Sequence, residues 1–241
     1  MTQNFKLWVR TFRYQKKYDI GGMNFIKNSL KPGDIAFDVG AHKGAYLNVM
    51  RKCVGKQGTI VGFEPQLILF EYLSSVKKTL HWSNARIEHL ALSDKEGKLK
   101  LYIPANKIRQ ASSPGATLLS SKSQQDTDRI EEVDAETLDH YIERHQLKPV
   151  FLKIDVEGNE LRVLEGGIEY LRTARPKILV EIEARHVGKE KVMDTFEFFK
   201  NLDYSGKFIR KKELIPLDRF SFDQHQNTGN RDIYCNNFIF E

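Results

Sequence analysis

Residues 35–44 read Ile35-Ala36-Phe37-Asp38-Val39-Gly40-Ala41-His42-Lys43-Gly44, an apolar run that passes directly into a loop of small residues. The run 35–39 predicts a buried β-strand, and residues 44–54 have the pattern of a helix. Small residues let the backbone approach a ligand, and the N-terminus of the following helix favours an anion. Strand, glycine loop and helix in this order predict an open α/β sheet with a ligand site at the turn.

Strand and helix patterns alternate along the rest of the chain. Further strands are predicted at 59–63, 86–91, 98–103, 150–155 and 177–182, and further helices at 65–79, 159–172 and 192–201. Two final strands, 204–210 and 232–240, have no convincing helix between them. Repeated βα units predict a mostly parallel sheet with helices on both faces, and the closing strand pair indicates an antiparallel edge.

Residues 1–30 are predicted as an N-terminal amphipathic helical extension, and residues 31–241 as the domain itself. Phe5, Trp8, Val9 and Phe12 recur at helical spacing, while most of the basic residues lie elsewhere. One interpretation docks this aromatic stripe on the domain and leaves the basic side in water. The other places the helix on a membrane surface.

A polar stretch interrupts the alternation at residues 106–132. It is rich in Ser, Gln, Asp and Lys, and it has no hydrophobic periodicity. A long insertion of this kind in a compact domain is either a functional lid or plain disorder. Both interpretations stay open. The insertion precedes the strand that ends at Asp155, on the expected substrate side, which favours a lid, whereas its polar composition is that of a solvated loop.

Composition narrows the class of protein. The 241 residues are 40% hydrophobic and 29% charged, with a formal net charge of +6 and two cysteines. No apolar run approaches the roughly 20 residues that a bilayer requires, and the N-terminus has no signal-peptide pattern. Two cysteines form no disulfide framework or zinc site, and the charge excess is a weak indicator of nucleic acid. We expect a cytoplasmic protein.

The glycine loop favours S-adenosylmethionine (SAM) over a dinucleotide. It lacks the G-x-G-x-x-G triplet that lets a backbone contact pyrophosphate, and Asp38 directly before it would repel that group. A carboxylate there suits a ligand that carries an ammonium and a sulfonium. Glu64 lies twenty positions after Gly44, about where an acidic residue reaches the ribose hydroxyls in nucleoside-binding α/β folds.

The chain resembles the FkbM-type SAM-dependent methyltransferases. The resemblance spans residues 32–183, and its last segment is the most specific. It is carried by five segments: Asp38-Val39-Gly40-Ala41-His42-Lys43-Gly44, Gly62-Phe63-Glu64-Pro65, Ala91-Leu92-Ser93-Asp94, Thr137-Leu138-Asp139 and Leu152-Lys153-Ile154-Asp155-Val156-Glu157-Gly158-Asn159-Glu160.

The resemblance implies the class I, Rossmann-like methyltransferase fold, a seven-stranded, mostly parallel sheet with an antiparallel last strand. It also implies methylation of a hydroxyl on a sugar, glycan, polyketide or similar small metabolite. Carried onto this chain, it assigns the methionine portion to Asp38, Gly40 and Gly44, the ribose to Glu64, and the adenine edge to Ala91, Leu92 and Ser93. Ala41 and Pro65, within the same motifs, complete the predicted cofactor site.

A hydroxyl acceptor needs a base to take its proton. Asp155, at the end of the fourth core strand, is the first candidate, with Glu157 two residues on and His186 as an alternative. The same carboxylates could instead hold the methionine ammonium or cap the next helix. His42 in the cofactor loop either faces the acceptor or is a surface residue, and the second interpretation is favoured for a lone loop histidine.

Glu181, Glu183 and His186 form a second cluster that could hold a divalent cation with Asp155 and Glu157. Because the spacing matches no metal motif, we predict a solvated acidic edge and no metal. Two other functions stay open: a NAD-dependent oxidoreductase on the same sheet, and a non-catalytic module that docks to membrane or nucleic acid through the basic N-terminus.

Overall fold

The computed structural model describes residues 3–103, 116–118, 129–230 and 232–241, without the side chains of residues 3 and 4. Its strands are, in chain order, β1 (Ile35–Val39), β2 (Thr59–Phe63), β3 (Ala85–Glu88), β4 (Ala91–Leu92), β5 (Gly97–Ile103), β6 (Arg129–Glu136), β7 (Phe151–Ile154), β8 (Lys177–Glu181), β9 (Gly206–Arg210), β10 (Glu213–Pro216) and β11 (Asn237–Phe240).

The helices cover both faces of the main sheet. They are α1 (Gln3–Arg13), α2 (Ile20–Ser29), α3 (Ala45–Val54), α4 (Leu67–Thr79), α5 (Leu138–His145), α6 (Glu160–Glu165), α7 (Ile168–Ala174), α8 (Ala184–Val187), α9 (Lys189–Asn201) and α10 (Phe222–His225). A π-helical turn, Tyr14–Tyr18, joins α1 to the loop before α2, and a 3-10 turn, Leu217–Arg219, follows β10.

The main sheet has the strand order β10-β9-β11-β8-β7-β1-β2-β3. Strands β1, β2, β3, β7 and β8 are parallel, and β11 is antiparallel to both β8 and β9. The predicted mostly parallel sheet with an antiparallel last strand is confirmed. The sheet has eight strands instead of seven, because β10 forms an edge hairpin with β9. That strand is short and ends in proline, so it gave no alternating pattern.

A second sheet of three strands, in the order β4-β6-β5, corrects two predictions. The predicted strand 86–91 divides: β3 ends at Glu88, and Ala91 begins β4 in the second sheet. The last residues of the predicted insertion 106–132 belong to β6, which starts at Arg129 and pairs with all of β5. Its charged sequence hides this strand, since the pairing with β5 and not an apolar alternation defines it. Residues 104–115 and 119–128 lie outside the described part of the chain.

The predicted helix 159–172 is two helices, α6 and α7, separated by Gly166 and Gly167. A Cβ on Gly166 would lie 2.1 Å from the carbonyl oxygen of Ser93, and one on Gly167 would lie 2.5 Å from a methyl of Leu138. Real side chains do not tolerate such distances. The break therefore lets the second sheet and α5 pack closely against the main domain.

The core has two layers because consecutive strand residues point to opposite faces of the sheet. Ile60 packs with α2, α3 and α4 on one face, and its neighbour Val61 packs with α5, α7 and α9 on the other. The N-terminal helices belong to the first layer, where Leu7, Met23 and Ile26 are buried. In the described part of the chain, no helix has the length and apolarity needed to cross a bilayer.

Of the two interpretations of α1, the one that docks its aromatic stripe on the domain is wrong. Phe5, Trp8 and Phe12 are 45%, 57% and 50% exposed, whereas Leu7 and Thr11 face the domain and are buried. The sequence pattern indicated the larger apolar side chains as the packed face of the helix. The helix instead packs through its smaller ones, since Leu7 lies against Gly44 at the start of α3.

Candidate functional site

A cavity of about 270 Å³ lies at the carboxyl ends of β1, β2, β7 and β8. This volume is near the lower end of the range of small-molecule sites, about 300 to 1,000 Å³. Parallel strands meet there with their loops on one side, which is where open α/β sheets bind ligands.

Gly40 lets the loop after β1 pass against the loop after β7. Its φ is +82°, and a Cβ would lie 1.9 Å from the carbonyl oxygen of Asp155. The N–H groups of Gly40 and Ala41 donate to the carbonyl of Phe63 at 3.0 and 2.9 Å. Gly40 lines the cavity, whereas Ala41 and Gly44 do not. Gly44, with φ +75°, begins α3.

Glu64 presents a buried carboxylate to the cavity. It is 2% exposed, and its two oxygens accept hydrogen bonds from the N–H groups of His42 at 2.7 Å and Gln66 at 2.9 Å. Burial raises the pKa of Glu64 to about 7, against the lowering effect of these two hydrogen bonds. The carboxylate is therefore fixed in place with room for one more donor at each oxygen.

Asp38 is buried beneath the cavity and does not line it. Neither of its oxygens makes a hydrogen bond of good geometry with the residues that the structure describes, although the backbone N–H of Leu47 lies near enough to lower its pKa. Burial raises the pKa of Asp38 to about 6, although the charge of Lys153, its neighbour across the β1–β7 pair, opposes this. An unpartnered buried carboxylate is costly, and it favours a cationic or hydrogen-bonding group nearby.

His42 corrects the prediction of a surface histidine. It lines the cavity, and its Nε2 is buried without a hydrogen-bond partner in the described part of the chain. Burial, followed by the nearby charge of Lys43, lowers the pKa of His42 to about 4. The imidazole is thus neutral at pH 7, with one ring nitrogen directed at no described protein atom.

The wall beyond Glu64 is mostly apolar. Phe63, Leu90 and Leu101 line it together with the predicted cofactor residues Pro65, Ala91 and Leu92. Gln66 adds an amide at the same wall.

Ser93 is fully buried and is not part of this wall. Its N–H donates to Glu136, and its Oγ donates to Asp94. The structure therefore gives Ser93 a role in joining β4 to β6, where the resemblance had implied contact with adenine.

Asp155 lines the cavity and is held by a buried lysine. Lys153, 1% exposed, donates from Nζ to Asp155 Oδ2 at 2.7 Å, and its ammonium lies 4.6 Å from the centre of the Tyr46 ring. Burial alone would lower the pKa of Lys153, but the charges of Asp155, Asp38 and Glu181 outweigh it and raise that pKa. Lys153 therefore stays an ammonium, and its hydrogen bond fixes the position of the Asp155 carboxyl group.

Glu181, at the end of β8, also lines the cavity. Burial and then the charge of Asp155 raise its pKa well above the usual range. Asn236 donates to Glu181 at 2.7 Å and to Glu183 at 2.6 Å. Glu183 also pairs with Arg185 and accepts from Tyr234, so it is buried among protein partners.

Glu157 lines the cavity, and His186 lies directly behind it. His186 Nδ1 is 3.2 Å from Glu157 Oε2, and its Nε2 is 3.8 Å from Glu183 Oε2. His186 is not itself a lining residue. Within the described ranges, no group of three or more His, Cys, Asp and Glu is placed to hold a metal. The acidic residues that were grouped from the sequence thus have two different positions. Asp155, Glu157 and Glu181 line the cavity, whereas Glu183 is buried among protein partners.

The loop after β7 is fixed by a residue that sequence reasoning left without a role. Glu160, buried at the start of α6, accepts hydrogen bonds from the N–H groups of Val156 at 3.1 Å and Gly158 at 2.9 Å. A carboxylate that reaches back to preceding N–H groups is a helix-start signal. It fixes the short loop that carries Asp155 and Glu157.

Part of the predicted insertion covers the cavity. Thr117 pairs with Tyr102 of β5, and its hydroxyl donates to the carbonyl of Glu157 at 2.9 Å. Its neighbours Ala116 and Leu118 line the cavity. The described residues 116–118 therefore join the second sheet to the loop that carries Glu157.

Tyr14, from the π-helical turn before α2, also lines the cavity. Burial raises the pKa of its phenol. Neither spacing nor motif could have indicated Tyr14, because its position depends on how the N-terminal helices pack against α3. Gln66 directly follows the predicted cofactor residues Glu64 and Pro65, so its place in the sequence was a usable signal. Leu101 lies inside the predicted strand 98–103, which gave no such signal.

A family model described as the methyltransferase FkbM domain matches residues 38–211. A comparison with curated proteins gave no match. Among solved structures, methyltransferase FkbM from Methylobacillus flagellatus superposes with a TM-score of 0.56 at 14% identity, covering 96% of this chain and 53% of the other. This chain thus spans about half the length of that protein, and the likeness concerns the fold.

Two further structures superpose less closely. The SAM-dependent O-methyltransferase of Thermotoga maritima has a TM-score of 0.43 at 15% identity, covering 91% of this chain and 63% of its own. Fibrillarin of Aeropyrum pernix, solved with SAM, has a TM-score of 0.49 at 12% identity, covering 91% and 72%.

Proposed function

Because the chain belongs to the FkbM methyltransferase family, we propose that it binds SAM in the cavity and transfers the methyl group to a hydroxyl of a sugar, glycan or small metabolite. The observation that carries this proposal is Glu64: a buried carboxylate, fixed by two backbone N–H groups, that faces the cavity beside an apolar wall. Family membership also favours a methyltransferase over the oxidoreductase and the non-catalytic module.

The residues around the cavity fit the parts of SAM. Glu64 would accept hydrogen bonds from the ribose hydroxyls, and Pro65, Ala91 and Leu92 would flank the adenine. Gly40 would leave space for the methionine portion. Asp38 does not line the cavity, so its charge would act on the cofactor from below. Ala41, Gly44 and Ser93 would then act through the shape of the loops and not by contact.

When bound, SAM supplies a methyl group on a sulfonium, which is activated for in-line displacement. The protein's contribution is to orient the acceptor, exclude water and take the acceptor proton. Asp155 would receive that proton at its carboxylate. Lys153 orients this group through its hydrogen bond to Oδ2.

Glu157 and His186 would act beside Asp155. Glu157 would orient an acceptor hydroxyl, and His186 would position Glu157 through the 3.2 Å contact at Nδ1. Glu181, whose pKa burial raises well above the usual range, would donate a hydrogen bond toward the acceptor in its protonated form. Several carboxyl groups on one wall suit an acceptor with several hydroxyls, because each can accept or donate a hydrogen bond.

Calorimetric titration of the full chain with SAM, S-adenosylhomocysteine and NAD tests the cofactor. We expect binding of the first two and none of NAD, and we expect Glu64→Gln to weaken both. The acceptor class is tested by transfer of labelled methyl from SAM to panels of glycans, small hydroxylated metabolites, amines and RNA. Binding of NAD without SAM would overturn the cofactor assignment, and transfer to amines or RNA alone would overturn the acceptor class.

A further inference from the structure

The exposed face of α1 combines aromatic side chains with positive charge. Phe5, Trp8 and Phe12, here called the aromatic ridge, stack in sequence with ring centroids 6.0 and 5.7 Å apart. Each is about half exposed. Most exposed apolar residues of a folded protein lie singly, whereas three contiguous rings on one helix face mark an interaction site.

Cations flank this ridge, and acids are absent from it. Residues 1–18 contain no Asp or Glu and five basic residues, compared with a formal net charge of +6 for all 241 residues. The exposed cations are Lys6, Arg13, Lys16 and Lys17. Nearly all of the excess positive charge is thus concentrated on one short helical segment.

The opposite face of α1 packs against the domain. Leu7 and Thr11 pack inward, and Arg10 donates from Nη1 to the carbonyl of Lys43 at 3.2 Å. The helix is therefore held with its ridge outward. Because the aromatic residues do not contribute to the domain core, folding of the domain does not account for them.

We propose that the aromatic ridge and its flanking cations dock the protein on an anionic lipid membrane. Trp and Phe partition into the headgroup region of a bilayer, and Lys and Arg beside them pair with anionic headgroups. A half-exposed apolar ridge requires an apolar phase to bury it, which a phosphate backbone alone does not supply. This inference is independent of the proposed transferase activity.

The docking face is close to the cavity along the chain. Tyr14, two residues after Phe12, lines the cavity, and Arg10 contacts the cofactor loop at Lys43. Two residues of a helix span about 3 Å along its axis. A protein docked through the ridge therefore has Tyr14, one residue of the cavity wall, on the segment next to the membrane-bound one.

The fluorescence of Trp8 can report this docking. It has two tryptophans, of which Trp8 is 57% exposed and Trp82 is 3% exposed. Adding vesicles with about one third phosphatidylserine in phosphatidylcholine should shift the Trp8 emission to shorter wavelength, and pure phosphatidylcholine should give a much smaller shift. Trp8→Phe should abolish the shift while the protein still floats with the anionic vesicles.

Matched variants separate the ridge and its charge from unspecific effects. Trp8→Ser with Phe12→Ser, and separately Lys6→Glu with Arg13→Glu, should each lower partitioning into anionic vesicles at least about tenfold. Met193→Ser, also at an exposed apolar residue, should leave it within about twofold, and so should Lys52→Glu with Lys56→Glu, in the last turn of α3 and the turn that follows it. Unchanged thermal unfolding of each variant shows that the fold is intact.

Three outcomes would overturn the proposal. The first is equal flotation of the ridge variants and their controls. The second is a dimer in sedimentation equilibrium that the ridge variants dissociate, with no vesicle binding by the original chain. The third is RNA binding that requires the ridge in a protein that does not bind anionic vesicles. Methyl transfer enters none of these measurements, so failure of the proposed function would leave this test unaffected.

Discussion

Lys153 Nζ lies 2.7 Å from Asp155 Oδ2, and the lysine reaches it from a fully buried position in β7. The same ammonium faces the ring of Tyr46, whose hydroxyl donates to Asp19 at the start of α2. One buried cation therefore holds the candidate base and also connects, through Tyr46, to the N-terminal helices. Removing it would leave several buried carboxylates without compensation.

The first prediction concerns Lys153→Met. Removing one partner of a buried ion pair costs about 3 to 5 kcal/mol, because the remaining charge is buried unpaired. Because the side chain of Asp155 is 27% exposed, we expect a loss at the lower end of this range, about 3 kcal/mol, in the free energy of unfolding measured by urea denaturation. Lys200→Met is the control, since Lys200 pairs with Glu197 at the surface and such pairs contribute at most about 1 kcal/mol. Equal effects of the two variants would contradict the role given to Lys153.

The second prediction concerns Asp155→Asn. If Asp155 takes the acceptor proton, the variant should slow single-turnover methyl transfer by about 100-fold or more, the usual effect of a general base. Binding of S-adenosylhomocysteine, measured by calorimetry, should change by less than about threefold, because the amide keeps the size of the side chain. Glu157→Gln, on the same wall, should slow transfer less. Unchanged single-turnover transfer in Asp155→Asn would show that another group is the base.

Some elements of the fold could be predicted from the sequence, and others could not. The sequences of β1, β2, β7 and β8 are apolar runs, because these strands are buried on both faces of the sheet. Their sequence pattern was therefore sufficient to predict them as strands. β6 has charged residues at most positions and forms through its partner β5. The break between α6 and α7 depends on close approaches of Ser93 and Leu138, which no local pattern contains.

Within the site, strand-end residues were predictable and residues from elsewhere were not. Glu64 and Asp155 directly follow β2 and β7, so motif and spacing were sufficient to place both at the cavity wall. Tyr14 arrives through the packing of α1 and α2, and Leu118 arrives from the insertion. The outward direction of Trp8 was equally hidden, because a helical stripe does not reveal which of its two faces meets the domain.

The third prediction concerns the pH dependence of cofactor binding. Only the ionised form of Glu64 accepts two hydroxyl hydrogens, and its pKa is about 7. Affinity for S-adenosylhomocysteine should therefore increase about tenfold from pH 6 to pH 8, as the ionised fraction increases. Glu64→Gln should bind more weakly and lose this increase. Asp38→Asn, which removes the other carboxyl that titrates nearby, should keep it. A wild-type affinity that is flat over this range would contradict the assignment.

The fourth prediction concerns the pH dependence of stability without cofactor. The raised pKa of Glu64, about 7 compared with 4.5, means that the folded protein binds more protons than the unfolded chain between these values. The free energy of unfolding should therefore fall as pH rises through this interval, by roughly 3 kcal/mol from this residue. His42, with its lowered pKa of about 4, acts oppositely below pH 6.5. Subtracting the urea-denaturation profile of Glu64→Gln isolates the contribution of Glu64, and a difference that does not vary with pH would contradict it.

The fifth prediction concerns Gly40→Ala. The backbone at Gly40 has φ +82°, and the added methyl would collide with the carbonyl oxygen of Asp155 at 1.9 Å. The loops after β1 and β7 must then separate, which displaces Asp155 from the cavity wall. We expect a loss of at least about 2 kcal/mol in unfolding free energy and binding of S-adenosylhomocysteine weakened at least about tenfold.

Gly97→Ala provides the matched control for this prediction. Gly97 has φ +121°, and no atom lies within 4 Å of a Cβ built there. That variant therefore carries the cost of backbone strain, about 1 to 3 kcal/mol, without a collision, and it should bind S-adenosylhomocysteine normally. Urea denaturation and calorimetry on both variants separate strain from contact. If Gly40→Ala bound the ligand as well as Gly97→Ala does, the close approach of the two loops would not be what shapes the cavity.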